Sequence, residues 1–473
     1  MRLVSALLWL LAGSCVAQPV FTDVFPVDEY AARRARVAEK IGDAVAILQG
    51  TTERPGEQPL RQSNQFFYLT GVVEPRALLI VDGKTKRSTL FLNPRDERRE
   101  TKMFGPGLYP GDDAAHATGI DSVLARSDFK AAIQNLTART IYTPFRPEVL
   151  GSASSTDPAA LAKATKEDPW DGRSSREEAF REKLKAESSS LEIRNLDPIL
   201  DELRAIKSPR EIAILREATR IAGIGIIEAM RDARPGMSEY ELQADAEYVF
   251  KKNGAYGAAY FALVATGPNT YYSHYHKGTR KLDDGDLVQF DYAPDYKNYA
   301  SDVTRVFPAN GKFTLRQREF YTIYLQLYRA LMTSIKVHAT PPEIIKDALA
   351  KMDGIMTSFK FTYPKIHDAA AEFVESYRTR LKNNRANSLG HSVGMEVHDV
   401  RNPGTTLEPG EVFTIEPAMQ IQGEHVGIRL EDMILMTETG YENLSEFVPI
   451  EIADIQKVMS RHGLSDAQMK LKR

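Results

Sequence analysis

The stretch Asp286–Pro308, DLVQFDYAPDYKNYASDVTRVFP, constrains the fold of this chain more than any other. Two runs of strand-type composition, Leu287–Tyr292 and Ala300–Phe307, flank a polar turn with Pro294, Asp295, Lys297 and Asn298, the pattern of a β-hairpin. Asp291 lies in the first run and Asp302 in the second, an odd number of positions apart. An antiparallel pairing folded about Tyr296 and Lys297 sets the two carboxylates opposite each other on one face. Bare carboxylates at ~5 Å between Cβ atoms repel, and burying one unpaired costs several kcal/mol. A cation between them removes both objections; the alternative is a pair of solvated side chains on an outer face.

The same chemistry recurs downstream. Glu416 lies in VFTIEP (412–417) and Glu431 in VGIRLEDMIL (426–435), again an odd number apart, with Gly423 near the midpoint. A second hairpin brings these two carboxylates together, although Pro417 lacks an N–H and is expected to force a bulge. Between the pairs lies GHSVGMEVHD (390–399), where His391 sits between glycines that leave room for close approach. Four carboxylates and one imidazole form an oxygen-rich set, better suited to two divalent ions such as manganese, cobalt or zinc than to one closed zinc site. Arg429, two positions before Glu431 and so on the same strand face, can hold a ligand carboxylate by a charge-assisted bond.

The order Asp…Asp…His…Glu…Glu, in the contexts FDYAPDYKNYASDVTRVFP, LGHSVGMEVHD, TIEP and GIRLEDMIL, resembles the pita-bread-fold metallopeptidase family of aminopeptidase P and prolidase. The match runs from about residue 200 to 450, with a weaker one over the N-terminal half. It implies an α+β protein with a C-terminal pita-bread catalytic domain over 200–460 and a smaller α/β N-terminal domain over 20–150. It implies that Asp291, Asp302, His391, Glu416 and Glu431 hold two divalent ions, manganese first with cobalt or zinc as alternatives, and that Asp302 and Glu431 are shared between them. Hydroxide then attacks the carbonyl of an Xaa–Pro bond in a proline-containing peptide. Glu416 relays the proton, His398 donates to the developing oxyanion, and His274 helps hold the substrate. The family also carries a histidine four positions before the metal-binding one; here that place is Asn387. Asparagine keeps hydrogen-bonding capacity but cannot titrate, so Asn387 is a candidate neutral substrate contact, with a helix-capping role as the alternative. A homo-oligomer, dimer or tetramer, is also implied. Prolidase is the nearest competing activity. Metal-free creatinase and metal-free binding modules of the same fold are disfavoured by the full ligand set, and methionine aminopeptidase by the large N-terminal domain.

The rest of the chain frames this region. Residues 1–17, MRLVSALLWLLAGSCVA, read as a secretory signal peptide that leaves Gln18 first, in an exported, periplasmic or secreted protein. A lipoprotein reading through Cys15, the only cysteine, is disfavoured by Ala12 in place of a large aliphatic residue. No other segment is long and apolar enough to span a bilayer. The net charge of −3 with no basic block argues against a nucleic-acid partner. Glu29–Lys40 reads as an amphipathic helix, and Asp43–Leu48, Ala77–Val81 and Thr89–Leu92 as strands. The Ser-, Ala- and Lys-rich span 151–190 reads as an insertion or linker. Ser208-Pro209-Arg210-Glu211 is a capping box opening a helix to Ala222, ended by Gly223; a second helix covers Gly225–Asp232, and Ser238 with Glu241 opens a third.

Overall fold

The computed structural model describes residues 25–53, 59–149, 157–187, 191–402 and 404–464; the leader at 1–17 and its junction at Gln18 lie outside them. The chain divides into two compact units, one of residues up to Pro144 plus Phe180–Leu196, the other of Phe145–Ala179 and Asp197 onward.

The first unit is built on a mixed sheet of β1 (Val45–Gln49), β2 (Leu78–Asp82), β3 (Ser88–Leu92), β4 (Ser122–Ala125), β5 (Thr140–Thr143) and β6 (Glu192–Asn195), in the order β4-β3-β2-β1-β5-β6. β1, β2 and β3 pair antiparallel, whereas β4, β5 and β6 join parallel. Alternate residues Val45, Ile47, Leu78, Ile80, Phe91 and Ile141 form one buried face, the period-2 signature of a strand against a core. Within 151–190, read from composition as an insertion or linker, the described residues form helices Asp157–Glu167 and Arg176–Glu187. Their Ala-, Glu- and Lys-rich sequences favour helix without a strong apolar stripe.

In the second unit the helix opened by Ser208 is capped as expected, with Ser208 Oγ accepting from Glu211 N–H (3.3 Å) and Glu211 Oε2 from Ser208 N–H (2.9 Å). It does not stop at Ala222. One helix runs over Pro209–Asp232, because Gly223 is a packing site and not a breaker. A Cβ there would lie 2.4 Å from the Phe447 ring and 2.5 Å from Val448. Helix Glu239–Lys252 follows, with Glu241 Oε2 accepting from Ser238 N–H (2.6 Å).

Two hairpins then build the centre. The first runs through β9 (Leu287–Asp291), β10 (Pro294–Tyr296), β11 (Tyr299–Ala300) and β12 (Thr304–Pro308), and is flanked by β7 (Gly257–Ala258), which pairs with β10, and β8 (Leu263–Thr266), which pairs with β9. Its fold-back differs from the expected one. The turn is Lys297-Asn298, both at positive φ (53° and 68°), a two-residue loop that suits the strand twist. Tyr296 therefore pairs with Tyr299 and Asp291 with Thr304. Asp302 is not directly opposite Asp291 but diagonal to it, still on the same face because it lies two residues from Thr304.

The second hairpin comprises β13 (Val412–Ile415), β14 (Ala418–Ile421), β15 (Val426–Arg429), β16 (Asp432–Thr437) and, at its edge, β17 (Gly440–Asn443). The bulge expected at Pro417 is absent. Ile415 faces Asp432 and Ala418 faces Arg429 in one continuous register, which sets Glu416 opposite Glu431. Pro417 falls in the gap between β13 and β14, where the ladder asks for no N–H, and its carbonyl accepts from the Tyr324 hydroxyl (2.6 Å). An isolated antiparallel bridge, Thr304 to Glu431, stitches the two hairpins. Helices Asp197–Ala205, Leu315–Met332, Pro341–Ser358, Pro364–Lys382 and Ile452–Met459 also belong to this unit. Among the described residues no helix is long and apolar enough to cross a membrane.

Candidate active site

Each hairpin delivers two carboxylates to one place. Asp291 closes β9, and Asp302 lies between β11 and β12, both nearly excluded from solvent. Their approach is mediated by Tyr260, whose hydroxyl lies 2.6 Å from Asp291 Oδ1 and 2.7 Å from Asp302 Oδ1. Nothing in the motif spacing singles out Tyr260. Its one signal is its place just before β8, which pairs with β9 so that Leu263 faces Asp291. The outer oxygen of Asp291 is taken by Arg429, which forms a short ion pair with Oδ2. Arg429 Nη1 also donates to Ser273 O (3.4 Å) and lies 3.9 Å from Glu416 Oε2. Arg429 thus holds the Asp291 carboxylate, and it ties the segment carrying His274 to the same point. His274 itself is exposed.

The imidazole arrives on a segment laid against β13. Ser392 bridges Phe413, and Thr414 N–H donates to His391 O (2.9 Å). That approach requires the glycine before it: a Cβ on Gly390 would lie 2.0 Å from Thr414 O. His391 Nδ1 lies 3.2 Å from the Ser392 carbonyl, which can only accept, so Nδ1 carries hydrogen and Nε2 faces the carboxylates. Nε2 is 3.1 Å from Glu416 Oε1, 3.4 Å from Asp302 Oδ2 and 3.9 Å from Glu431 Oε1. The His398 ring packs against that of His391 with centroids 4.0 Å apart. Asn387 is exposed, and its backbone carbonyl accepts from Arg401. It caps no helix, since the preceding helix ends at Lys382 with Asn383 as its C-cap.

Behind Glu431 stands a buried support. Thr304 Oγ1 donates to Glu431 Oε2 (2.7 Å), and Arg305 donates to the Glu431 carbonyl (2.7 Å) while pairing with Asp432 (2.6 Å). The Tyr328 hydroxyl donates to the other oxygen of Asp432 (2.5 Å). None of these supporting groups stands out in the sequence.

The electrostatics are those of a cation site. Burial, reinforced by Asp302, Glu416 and Asp291 and opposed by Arg429, pushes Glu431 well above the usual carboxylate range. Burial likewise pushes Asp291 up to about 7, with Arg429 opposing. Burial works against the charged forms of His391 and Glu416, yet their mutual hydrogen bond and attraction, with Asp302 adding to the former, win. His391 is held well above its ordinary value and Glu416 down at about 2. Glu431 Oε1 is buried and accepts no hydrogen bond. One atom each of Asp302, His391 and Glu431 lies within 4.8 Å of the others. An orphaned buried carboxylate oxygen, in a set of oxygen donors and one neutral-capable imidazole nitrogen, fits a divalent cation.

Comparison with known proteins agrees with this geometry. Residues 213–438 match the family model of metallopeptidase family M24, and residues 30–142 that of the aminopeptidase P N-terminal domain. The chain is 33% identical to the Xaa-Pro aminopeptidase of Escherichia coli K12 over 91% of its own length and 97% of that protein. It is 26% identical to human Xaa-Pro dipeptidase, covering 92% of this chain and 94% of the relative. The solved structure of proline aminopeptidase P II from Yersinia pestis superposes with a TM-score of 0.71 at 31% identity, covering 92% and 99% of the two chains. The fold and site are those of a metallopeptidase with a pita-bread catalytic domain. The chain belongs to the aminopeptidase P family.

Proposed function

We propose that this protein is an exported Xaa-Pro aminopeptidase that uses two divalent ions, manganese first among them, held by Asp291, Asp302, His391, Glu416 and Glu431. The observation that carries the reading is the convergence of Asp302, Glu416 and Glu431 on His391 Nε2 at 3.1–3.9 Å, with Glu431 Oε1 left unsatisfied. When bound, the ions supply a Lewis acid for the scissile carbonyl and a water that deprotonates near neutral pH. The residues divide the remaining work by exposure. Glu416 is 28% exposed, whereas Asp291, Asp302 and Glu431 are nearly sealed, so Glu416 is the carboxylate that meets the substrate. Thr414 Oγ1 orients it through Oε1 (3.2 Å). Glu416 takes the proton as the water oxygen bonds to the carbonyl carbon, and returns it to the proline nitrogen as the C–N bond breaks. That nitrogen carries no hydrogen in the peptide and leaves as a secondary amine, so it needs this proton. His398, whose ring packs at a tilt against that of His391, donates to the carbonyl oxygen as charge develops, and His274 contacts substrate from its exposed loop.

The name of the Escherichia coli relative supports release of the residue before proline, and the human relative keeps dipeptidase activity as the second reading. We place the protein outside the cytoplasm with Met1–Ala17 removed, and as a homo-oligomer. The test compares turnover of Xaa-Pro dipeptides, Xaa-Pro-Xaa tripeptides and Xaa-Ala-Xaa controls by the metal-loaded protein. Aminopeptidase activity predicts cleavage of the tripeptides with release of the first residue. Cleavage of dipeptides alone makes it a prolidase, and equal cleavage of the alanine controls ends the proline-specific reading.

A further inference from the structure

A cavity of about 420 Å³ opens beside the carboxylate cluster, with His391 and Glu416 in its wall together with Phe373, Tyr377, Arg380 and Leu389. Its size falls within the ~300–1,000 Å³ usual for ligand pockets. Most of that lining is apolar or already belongs to the cluster. Besides the two serines Ser376 and Ser388, Arg380 adds a full positive charge to the wall. It sits in the last turn of helix Pro364–Lys382, three residues after Tyr377, so both project along one helix face. Its guanidinium lies over the Tyr377 ring, 5.3 Å from the centroid, and Nη2 donates to Ser388 O (2.9 Å).

Those contacts leave its charge unspent. Among the described residues no carboxylate lies within 4.0 Å of Arg380, whereas Arg429 in the same site is paired with Asp291. A guanidinium offers five N–H donors in a planar fork that matches a carboxylate, and a carbonyl and a ring face use little of that capacity. An arginine at a helix C-terminus also serves the helix dipole, but that role does not need a place in the wall of the reaction cavity. Because His391 and Glu416 share this wall with Arg380, a peptide substrate of the reading above would meet Arg380 here, and the anionic groups of an unmodified peptide are carboxylates.

We propose that Arg380 is a specificity-determining residue that binds a carboxylate of the peptide substrate beside the reacting bond. Two sources share that chemistry: the free C-terminus of a short peptide, and an acidic side chain next to the proline. The inference rests on the peptidase reading above. It adds a preference for short or acidic peptides, set by a residue outside the metal-binding motifs.

The experiment measures kcat/KM of the metal-loaded wild type, Arg380→Ala and Arg380→Gln on matched peptides. One pair is an Xaa-Pro-Xaa tripeptide as free acid and as C-terminal amide. The other is a peptide amide with Glu or Gln beside the proline. Each comparison is a ratio within one variant, so a general loss of folding or metal cancels, and Arg380→Gln retains a donor for Ser388 O if the alanine variant folds poorly. The expected result is a tenfold or larger wild-type preference for one anionic partner, carried by KM, that collapses toward one in both variants. Collapse of the acid-over-amide ratio assigns the C-terminus, and collapse of the Glu-over-Gln ratio assigns the side chain. A wild type with neither preference, or variants that keep it, overturns the proposal while leaving Xaa-Pro hydrolysis intact. A wild type that cleaves no Xaa-Pro bond removes the peptidase reading and this inference with it.

Discussion

Replacing Thr304 by valine removes one atom's chemistry from the site and little else. Thr304 is fully buried, and its hydroxyl donates to Glu431 Oε2 at 2.7 Å. Valine keeps the branched shape and the strand preference. The backbone bridge survives too, with Glu431 N–H donating to Thr304 O (3.1 Å) and Thr304 N–H to Glu431 O (3.4 Å). What is lost is a hydrogen bond to a buried charged group, worth ~1.5–3 kcal/mol. The loss falls on the ionised form of a carboxylate that burial already pushes well above its usual range, so protons compete more strongly with a cation for it. At ~1.4 kcal/mol per decade this corresponds to metal binding weakened roughly 10–100-fold, the range seen for partners of ligand groups. Chelator-treated wild type and Thr304→Val should be titrated with Mn²⁺ by calorimetry, with turnover followed at each addition. The expected outcome is a folded variant whose activity recovers only at excess metal. A folded Thr304→Val with wild-type metal affinity would show that Glu431 does not depend on this support.

Further outcomes follow from the same geometry. Glu416→Gln should retain at least part of its metal by elemental analysis while losing nearly all turnover, because an amide cannot relay a proton; wild-type kcat would end the relay role. Asn387→Ala should lower kcat/KM about tenfold on an Xaa-Pro tripeptide through a lost contact of ~1–1.5 kcal/mol, with metal content unchanged. Unchanged kinetics would make Asn387 a structural residue, and lost metal would mean that it supports His391. Asp245, pushed up to about 8 by burial with Asp232 adding to it, keeps a proton in the folded state that the unfolded chain loses near pH 4. Its contribution to stability therefore falls as pH rises from about 4 to about 8. Asp245→Asn should flatten the dependence of Tm on pH across that window, and parallel curves for the two proteins would contradict the assignment.

The parts of the site legible in the sequence were those carried by parity and by capping chemistry. Odd spacing puts Asp291 and Asp302, and Glu416 and Glu431, on common faces for any turn with an even number of residues. That is why a fold-back displaced to Lys297-Asn298 still brings the first pair together. The displacement itself was hidden because two non-glycine residues adopt positive φ there, which a composition reading does not favour. Pro417 misled in the opposite sense: a residue that cannot donate is harmless where the ladder is already interrupted. Gly223 looked like a helix end because its reason, the close approach of Phe447, lies far along the chain. Tyr260, Thr304, Arg305 and Arg380 were missed for one shared reason. Tyr260, Thr304 and Arg305 act through neighbours remote in sequence, and Arg380 matters by its place in the wall of a cavity that distant segments close, so no local period or spacing records these roles.

A metal centre formed by the five converging side chains cleaves Xaa-Pro bonds in the proposed reaction. Metal content and turnover should be measured on the same samples of wild type and Asp302→Asn, before and after chelation and on stepwise return of Mn²⁺. Chelated wild type should be inactive and regain Xaa-Pro-Xaa cleavage as up to two equivalents of metal bind, while Asp302→Asn should bind at least one fewer and stay inactive. Cleavage that persists in metal-stripped protein, or an active Asp302→Asn with two full equivalents, would contradict it.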